Sequence, residues 1–383
     1  MVRVSESPPL VAGDELDAYL ALALVPGIGP SRLRNLLAVF GSAGHAMTRP
    51  LEQLTAVPGI GAEAARAIQN ADLGLGRAGR ERVAELGGVV LIPGDPRFPG
   101  QLLEIAEPPA ALFALGRIEL VQAPAVAIVG SRDHSAYGAE VCRAIAAGAA
   151  EAGIVVVSGM ARGLDAVAHR AALDVAGATI GVLGNGLGIV YPLANRALYD
   201  AVVQRGLLLT EFPPGERPNP GSFPRRNRLI AGLARATVVV EAAVGSGALI
   251  TAAAALDQGR EVLAVPGPIT NARSHGTNRL IRDGAKPLLE LADLLELYPE
   301  VTRRAPRLEA DPDSPRGRLL TRLADGAYQV DDLAQRLGWG TGELLGLLGA
   351  LEVEGLVVQR PGMVFARSNV FGGRQGGRAA GRQ

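Results

Sequence analysis

Seven short runs of continuously apolar, β-rich residues recur between positions 87 and 290. They are VVLI (89–92), AVAIVG (125–130), IVVVSG (154–159), TIGVLG (179–184), LLLTEF (207–212), TVVVEA (237–242) and EVLAVPG (261–267). A strand with one wet face alternates polar and apolar residues, so runs without alternation belong to strands buried on both faces. Ala-rich stretches of helix length separate them. That spacing predicts βαβ units and an α/β, Rossmann-like, doubly wound parallel sheet. The stretch DPRFPGQLLEIAEPPAALFALG (95–116) is rich in proline and reads as a lead-in that wraps the sheet.

At 383 residues the chain exceeds one typical domain, and the flanks differ from the middle. Residues 1–80 read as a helical domain built around two similar turns, Val25-Pro-Gly-Ile-Gly29 and Val57-Pro-Gly-Ile-Gly61. Apolar segments with helical spacing bracket each turn, a repeat of the helix-hairpin-helix kind. The helix after such a turn can offer backbone amides to a phosphate. The same repeat also suits a purely structural bundle, and it lacks flanking lysines. The core is expected over 81–298, a linker over 299–315 and a winged helix over 316–367. The last consists of three helical patterns and a hairpin turning at Pro361-Gly362. Its second and third helices would form a helix-turn-helix, yet the third, GELLGLLGALEVEG, is apolar and acidic. The tail 368–383 is Gly/Arg low complexity and is expected to be disordered.

Composition closes several routes. The 38 basic and 38 acidic residues balance, which argues against a protein that coats nucleic acid or membrane over its whole surface but leaves room for a local patch. A single cysteine, Cys142, allows no internal disulfide, and four scattered histidines show no zinc-ligand spacing. No metal or cofactor is implied. The N-terminus lacks a signal-peptide core and no apolar segment is long enough to span a bilayer, so a cytoplasmic location is expected.

In an open parallel sheet, ligands bind beyond the carboxyl ends of the strands. Ser131-Arg132-Asp133 follows the second run, and Arg132 stands just before a helix start as a candidate phosphate clamp. Arg225, Arg226 and Arg228 crowd a helix start in SFPRRNRLIAGLA (222–234). Neighbours at a helix start diverge, so two of the three are expected to face one ligand. One is expected to pair with Glu211 or Glu216. Phe223 beside them suggests base stacking in a chain with only 4% aromatic residues, although it also suits a core position. Glycines 159, 184 and 186 either wall a pocket or serve tight turns. Asp165 and His169, four apart, read as a capping and packing pair rather than a catalytic couple.

Enzyme signatures are poor. The first βα turn does not fit G-x-G-x-x-G, a Walker lysine is missing, and Lys286 is the chain's sole lysine. Glu241 is the best single carboxylate for catalysis, but no partner acid is identifiable. No catalytic residue is assigned.

Several long segments at these loops, in the right order, resemble the DNA-processing protein A (DprA, or Smf) family. They include VGSRDHSAYG, SGMARGLDAVAHRAAL, GVLGNGLGIVYPLAN, TEFPPG, FPRRNRLIAGLA and GTNRLIRDGA. The resemblance implies a sterile-alpha-motif-like helical domain, a Rossmann-like core and, in many members, a winged helix. It implies a non-enzymatic protein that binds and protects incoming single-stranded DNA in natural transformation. Such proteins help load the RecA recombinase, including against single-strand-binding protein, and work as homodimers through the Rossmann-like domain. The GSR motif gives Gly130, Ser131 and Arg132, with Ser135 nearby, and the FPxRNR motif gives Phe223, Arg225, Asn227 and Arg228. Gly159, Arg162 and Arg226 complete the expected DNA-binding set. Two rivals are a nucleoside-monophosphate phosphoribohydrolase, whose PGGxGTxxE segment is absent here, and a duplex-DNA regulator acting through the winged helix.

Overall fold

The computed structural model describes residues 13–302, 314–324, 326–353 and 356–367. Most of the segment expected to be a linker and the whole Gly/Arg tail lie outside these. The chain divides into two compact units between Leu289 and Glu290. Among the described residues no helix is long and apolar enough to cross a membrane.

Six helices open the first unit: α1 (Gly13–Ala23), α2 (Pro30–Phe40), α3 (Ala43–Met47), α4 (Leu51–Thr55), α5 (Ala62–Gln69) and α6 (Leu73–Glu85). The two repeated turns lead into α2 and α5. Their third residues, Gly27 and Gly59, take φ of +81° and +83°, which a side chain rarely tolerates. The hairpins are stitched together, because Asn35 Nδ2 donates to Pro58 O at 3.0 Å. Buried Asp17 on α1 accepts from Arg80 at 2.6 Å and Arg77 at 3.2 Å on α6. The helices meet closely enough that a Cβ on Gly76 would fall on the Asp17 carbonyl. Tyr19, Leu22 and Leu36 share one core with Phe113, Leu183 and Leu208 of the sheet layer, so helices and sheet pack as one unit.

The sheet has nine strands: β1 (Val89–Leu91), β2 (Leu112–Gly116), β3 (Ala125–Val129), β4 (Val155–Ser158), β5 (Thr179–Val182), β6 (Leu207–Thr210), β7 (Ala236–Val239), β8 (Glu261–Ala264) and β9 (Lys286–Pro287). Their order is β1-β2-β6-β5-β4-β3-β7-β8-β9. The seven from β6 to β9 pair in parallel, with Val126 on β3 opposite Val156 on one side and Ala236 on the other. Crossover helices α7 (Ala136–Glu151), α8 (Leu164–Asp174), α9 (Arg196–Arg205), α10 (Ser222–Gly232), α11 (Gly247–Asp257) and α12 (His275–Arg282) cover both faces. The chain leaves β3 toward β4, β5 and β6 and returns to β3's other side as β7. The switch point therefore lies between β3 and β7.

The parallel core carries an antiparallel edge. The lead-in ends in strand β2, which pairs antiparallel with both β1 and β6. Parallel neighbours require a crossover, usually helical, whereas prolines 93, 96, 99, 108 and 109 interrupt the β1–β2 connection, so the chain folds straight back.

The second unit holds α13 (Leu291–Leu295), α14 (Pro299–Thr302), α15 (Pro315–Ala324), β10 (Tyr328–Gln329), α16 (Val330–Leu337), α17 (Thr341–Val353), β11 (Val357–Arg360) and β12 (Val364–Arg367). Leu319, Leu333, Leu344, Leu348 and Phe365 form its core. Strands β11 and β12 make the wing, closed by Pro361, Gly362 and Met363, and the two-residue β10 pairs with β12.

Candidate nucleic-acid interface

The β3 and β7 ends open onto a cavity of about 760 Å³ at the switch point. Its walls come from the loop after β3, the first turns of α10 and the start of α11.

The β3 loop is folded by its own side chains. Ser131 Oγ accepts from Asp133 N at 3.1 Å and donates to Asp133 O at 2.8 Å. Its backbone rests on Gly163, where φ is +80° and a Cβ would overlap Ser131 O and the Arg132 Cα. Only glycine fits there. The loop thus holds Arg132 exposed at the cavity, its guanidinium carbon 5.7 Å from the Phe223 ring centroid. Asp133 at the same lip is engaged by Arg273 at 2.7 Å.

Phe223 lies across Gly184, where a Cβ would come within 2.8 Å of the ring. Tyr191 meets it at 5.6 Å between centroids, tilted 36°. Arg132, Gly159, Arg162, Gly184, Tyr191 and Phe223 line a small recess of about 50 Å³ beside the main cavity.

Arg226 forms the floor. It is 4% exposed, and its Nη1 donates to Gly159 O at 2.6 Å and to Val182 O. A Cβ on Gly159 would collide with the guanidinium and with Asp165. Burial lowers the Arg226 pKa to about 10, with Asp165 opposing that shift and Arg132 adding to it. Burial also raises the Asp165 carboxyl, against the pull of Arg226.

Asp165 accepts from Gly159 N at 3.1 Å and Ala161 N at 3.3 Å. Met160 between them is held at φ +56°, a conformation rarely taken outside glycine, and its N–H donates to His169 Nε2. His169 Nδ1 lies 2.6 Å from Thr179 Oγ1, whose hydroxyl donates to Val156 O. Burial, then Arg226, drops the His169 pKa to about 3, so the ring is neutral near pH 7. Asp165 and His169 therefore shape this loop, as a capping and packing pair would.

Ser135 falls outside the cavity, whereas Asn227 lies in its wall. Ser135 caps α7, accepting from Gly138 N at 3.0 Å and donating to buried Glu241 at 2.5 Å. Glu241, the single carboxylate noted as a candidate and left without a catalytic assignment, also accepts from Ser135 N and so serves as a second cap on α7. Asn227 lines the cavity and donates to Gly247 O at 3.4 Å.

Arg225 and Arg228 do not join Arg132 at the cavity, so only one of the three α10 arginines, Arg226, lines it rather than the two expected. Arg225 and Arg228 both donate to Glu211, at 3.0 and 2.8 Å, and Arg225 also covers the Phe212 ring. They line a separate groove with Gly27, Arg32 and Glu107. Helical phase is the reason. Phe223, Arg226, Asn227 and Ile230 stand at i, i+3, i+4 and i+7 on one face of α10, while Arg225 and Arg228 share another.

Three contributors escaped the sequence reading. Tyr191 sat in a recognised loop with no spacing signal to mark it. Ser246 and Gly247 open α11 at the cavity, and the Ser246 side chain caps Ala248 N at 3.3 Å. The signal was a cap residue before an Ala-rich run. The assembled site offers an exposed guanidinium, a helix N-terminus and two aromatic rings, donors for an anion beside a surface for a flat ring.

Comparison with known proteins agrees. The family model for DNA recombination-mediator protein A matches residues 89–299, more than half of the chain, and the DprA winged helix domain matches residues 303–363. Protein Smf of Escherichia coli is 41% identical over 71% of this chain and 76% of its own length. DNA processing protein DprA of Streptococcus pneumoniae is 44% identical over 52% of this chain and 71% of its own. The solved structure of that pneumococcal protein superposes with a TM-score of 0.66 at 33% identity, covering 73% of this chain and 97% of that one. A Helicobacter pylori DNA processing protein A structure, described for its single-stranded DNA binding mode, gives 0.51 at 28% identity over 55% of this chain and 94% of that one. The shared motifs, the sheet with its switch-point cavity and these matches place the chain in the DNA recombination-mediator protein A (DprA/Smf) family.

Proposed function

We propose that the switch-point cavity binds single-stranded DNA without catalysing a reaction on it. The observation that carries this reading is the meeting of Arg132 with Phe223 at the cavity that the α11 N-terminus enters. Phosphate oxygens take the guanidinium and the amides, while a base stacks toward Phe223 and Tyr191. A sequence-tolerant grip follows, because every base has a π-face. The ssDNA binding described for the Helicobacter protein supports the assignment. The binding residues in this reading are Gly130, Ser131, Arg132, Gly159, Arg162, Phe223, Arg226 and Asn227. Asp165 and His169 are occupied in holding backbone and Asp133 is paired with Arg273, which favours a binder over a hydrolase.

From the family we infer that the chain acts in the cytoplasm, protects incoming DNA in natural transformation and helps load RecA, displacing single-strand-binding protein. One cavity spans few nucleotides, so a homodimer bridging one strand would raise affinity through effective concentration. Titration of oligothymidine against wild type and Arg132→Ala tests the site. A loss above tenfold with an unchanged circular dichroism spectrum is expected, and an unaltered isotherm would discard it. RecA loading is checked by strand exchange on strands pre-coated with single-strand-binding protein.

A further inference from the structure

The winged-helix unit carries a second cationic surface, and it is not where a helix-turn-helix would put one. Helix α17, the one placed to enter a duplex groove, bears only Glu343 and Glu352 as charged residues. Set into a groove, it would bring carboxylates to phosphates. The cations lie on α15 and α16 instead.

Three of them are stacked on aromatic rings. Arg318 on α15 covers Trp339, its guanidinium carbon 5.5 Å from the ring centroid. Arg322, one turn further along α15, and Arg336 on α16 both meet Tyr328, at 5.7 and 5.4 Å. The chain is built to bring the rings there. Gly338 ends α16 in the left-handed conformation, φ +70°, and Trp339 turns back to donate its backbone N–H to Ala334 O at 3.0 Å. Arg318 reaches the same corner, donating to Leu337 O at 3.4 Å. Arg318 and Arg336 are exposed, and neither has a carboxylate within 4.0 Å among the described residues. A guanidinium over a ring gains a cation–π contact, and the exposed Arg318 and Arg336 keep N–H donors for phosphate oxygens.

We propose that this α15–α16 face is a second binding site for single-stranded DNA, with the exposed Arg318 and Arg336 holding phosphates beside Trp339 and Tyr328. The choice of occupant rests on the reading of the chain as a single-strand binder. The geometry favours it independently: alternating planar cations and rings suit an unstacked strand, whereas duplex recognition would need the acidic α17.

Trp339 is the chain's only tryptophan, so its fluorescence reports on this face alone. The experiment titrates full-length protein with a long oligothymidine, following tryptophan emission and, in parallel, a gel shift. Emission is expected to change in wild type and also in Arg132→Ala, where the core cavity is weakened, at a higher DNA concentration. In Arg318→Ala/Arg336→Ala the emission change should vanish. Losing two phosphate contacts should reduce the salt slope of log affinity by about 1.4 and weaken binding about tenfold near 0.2 M salt. The Arg318→Lys/Arg336→Lys pair, which keeps charge and helix propensity, should retain the salt slope. Silent tryptophan at saturating DNA, or an undiminished slope in the alanine pair, would overturn the proposal. So would loss of the emission change in Arg132→Ala, or an equal change with duplex or polyglutamate. A failed gel shift in Arg132→Ala alone with tryptophan still responding would leave this site standing; intact binding there would instead sink the core cavity.

Discussion

Helix α10 presents two arginine faces with opposite chemistry. On one, Arg226 lies under the cavity, bonded to the Gly159 and Val182 carbonyls, and supports Phe223 and Arg132 above it. On the other, Arg225 and Arg228 spend their charge on one carboxylate, Glu211, whose side chain is 3% exposed. Within four consecutive residues, sequence proximity says little about electrostatic availability. What separates them is the 100° step of the helix and the location of a counter-charge. The buried arginine organises backbone, the paired arginines join α10 to the β6 end, and the exposed Arg132, from another loop, faces the cavity.

The largest effect should come from the floor. Arg226→Ala leaves Asp165 buried without its nearest cation and strips the Gly159 and Val182 carbonyls of a donor, so stability should fall by about 3–5 kcal/mol, the usual consequence of an uncompensated buried charge. Chemical denaturation measures this; a loss below about 1 kcal/mol would show that the floor is not a structural element. Arg132→Ala should do the reverse. Its stability should stay within about 0.5 kcal/mol of wild type, while affinity for a single strand falls at least tenfold.

Glu211→Gln sharpens the contrast from the paired face. It removes the shared counter-charge of two arginines, one half-buried and one exposed, and should cost about 1–3 kcal/mol with DNA affinity nearly unchanged. A large affinity change would mean that Arg225 and Arg228 reach the strand after all. Arg225→Ala is expected to be the mildest, within about 1 kcal/mol in stability, since its side chain is 56% exposed and its ion pair is accordingly weak. Its salt slope for DNA should match wild type, whereas that of Arg132→Ala should drop by about 0.7.

The strands were legible from their continuous apolar runs because burial on both faces leaves no polar alternation to confuse with a helix or a wet strand. Arg132 was legible too, since it follows a strand and precedes a helix, the position where an open sheet binds ligands. The antiparallel β2 was hidden because its direction depends on the connection before it rather than on its own residues. Glu241 stood out in the sequence only as a carboxylate after a strand; its contacts with the Ser135 hydroxyl and N–H, at 2.5 and 2.9 Å, showed it capping α7. Tyr191 gave no signal at all, because what matters is its 5.6 Å approach to Phe223, a residue of helix α10.

Local patterning alone was enough for the strand runs, the repeated glycine turns, the winged-helix elements and the presence of arginines in the loops. These follow from periodicity and backbone preference, which act over a few neighbours. Tertiary structure decided which arginines are spent internally and which face outward. That depends on where α10 begins its turn, set by the Asn219 side chain accepting from Gly221 and Ser222. It depends equally on Glu211, which reaches α10 only when β6 is in place: charge pairing is a matter of distance in space, and spacing along a chain does not carry it.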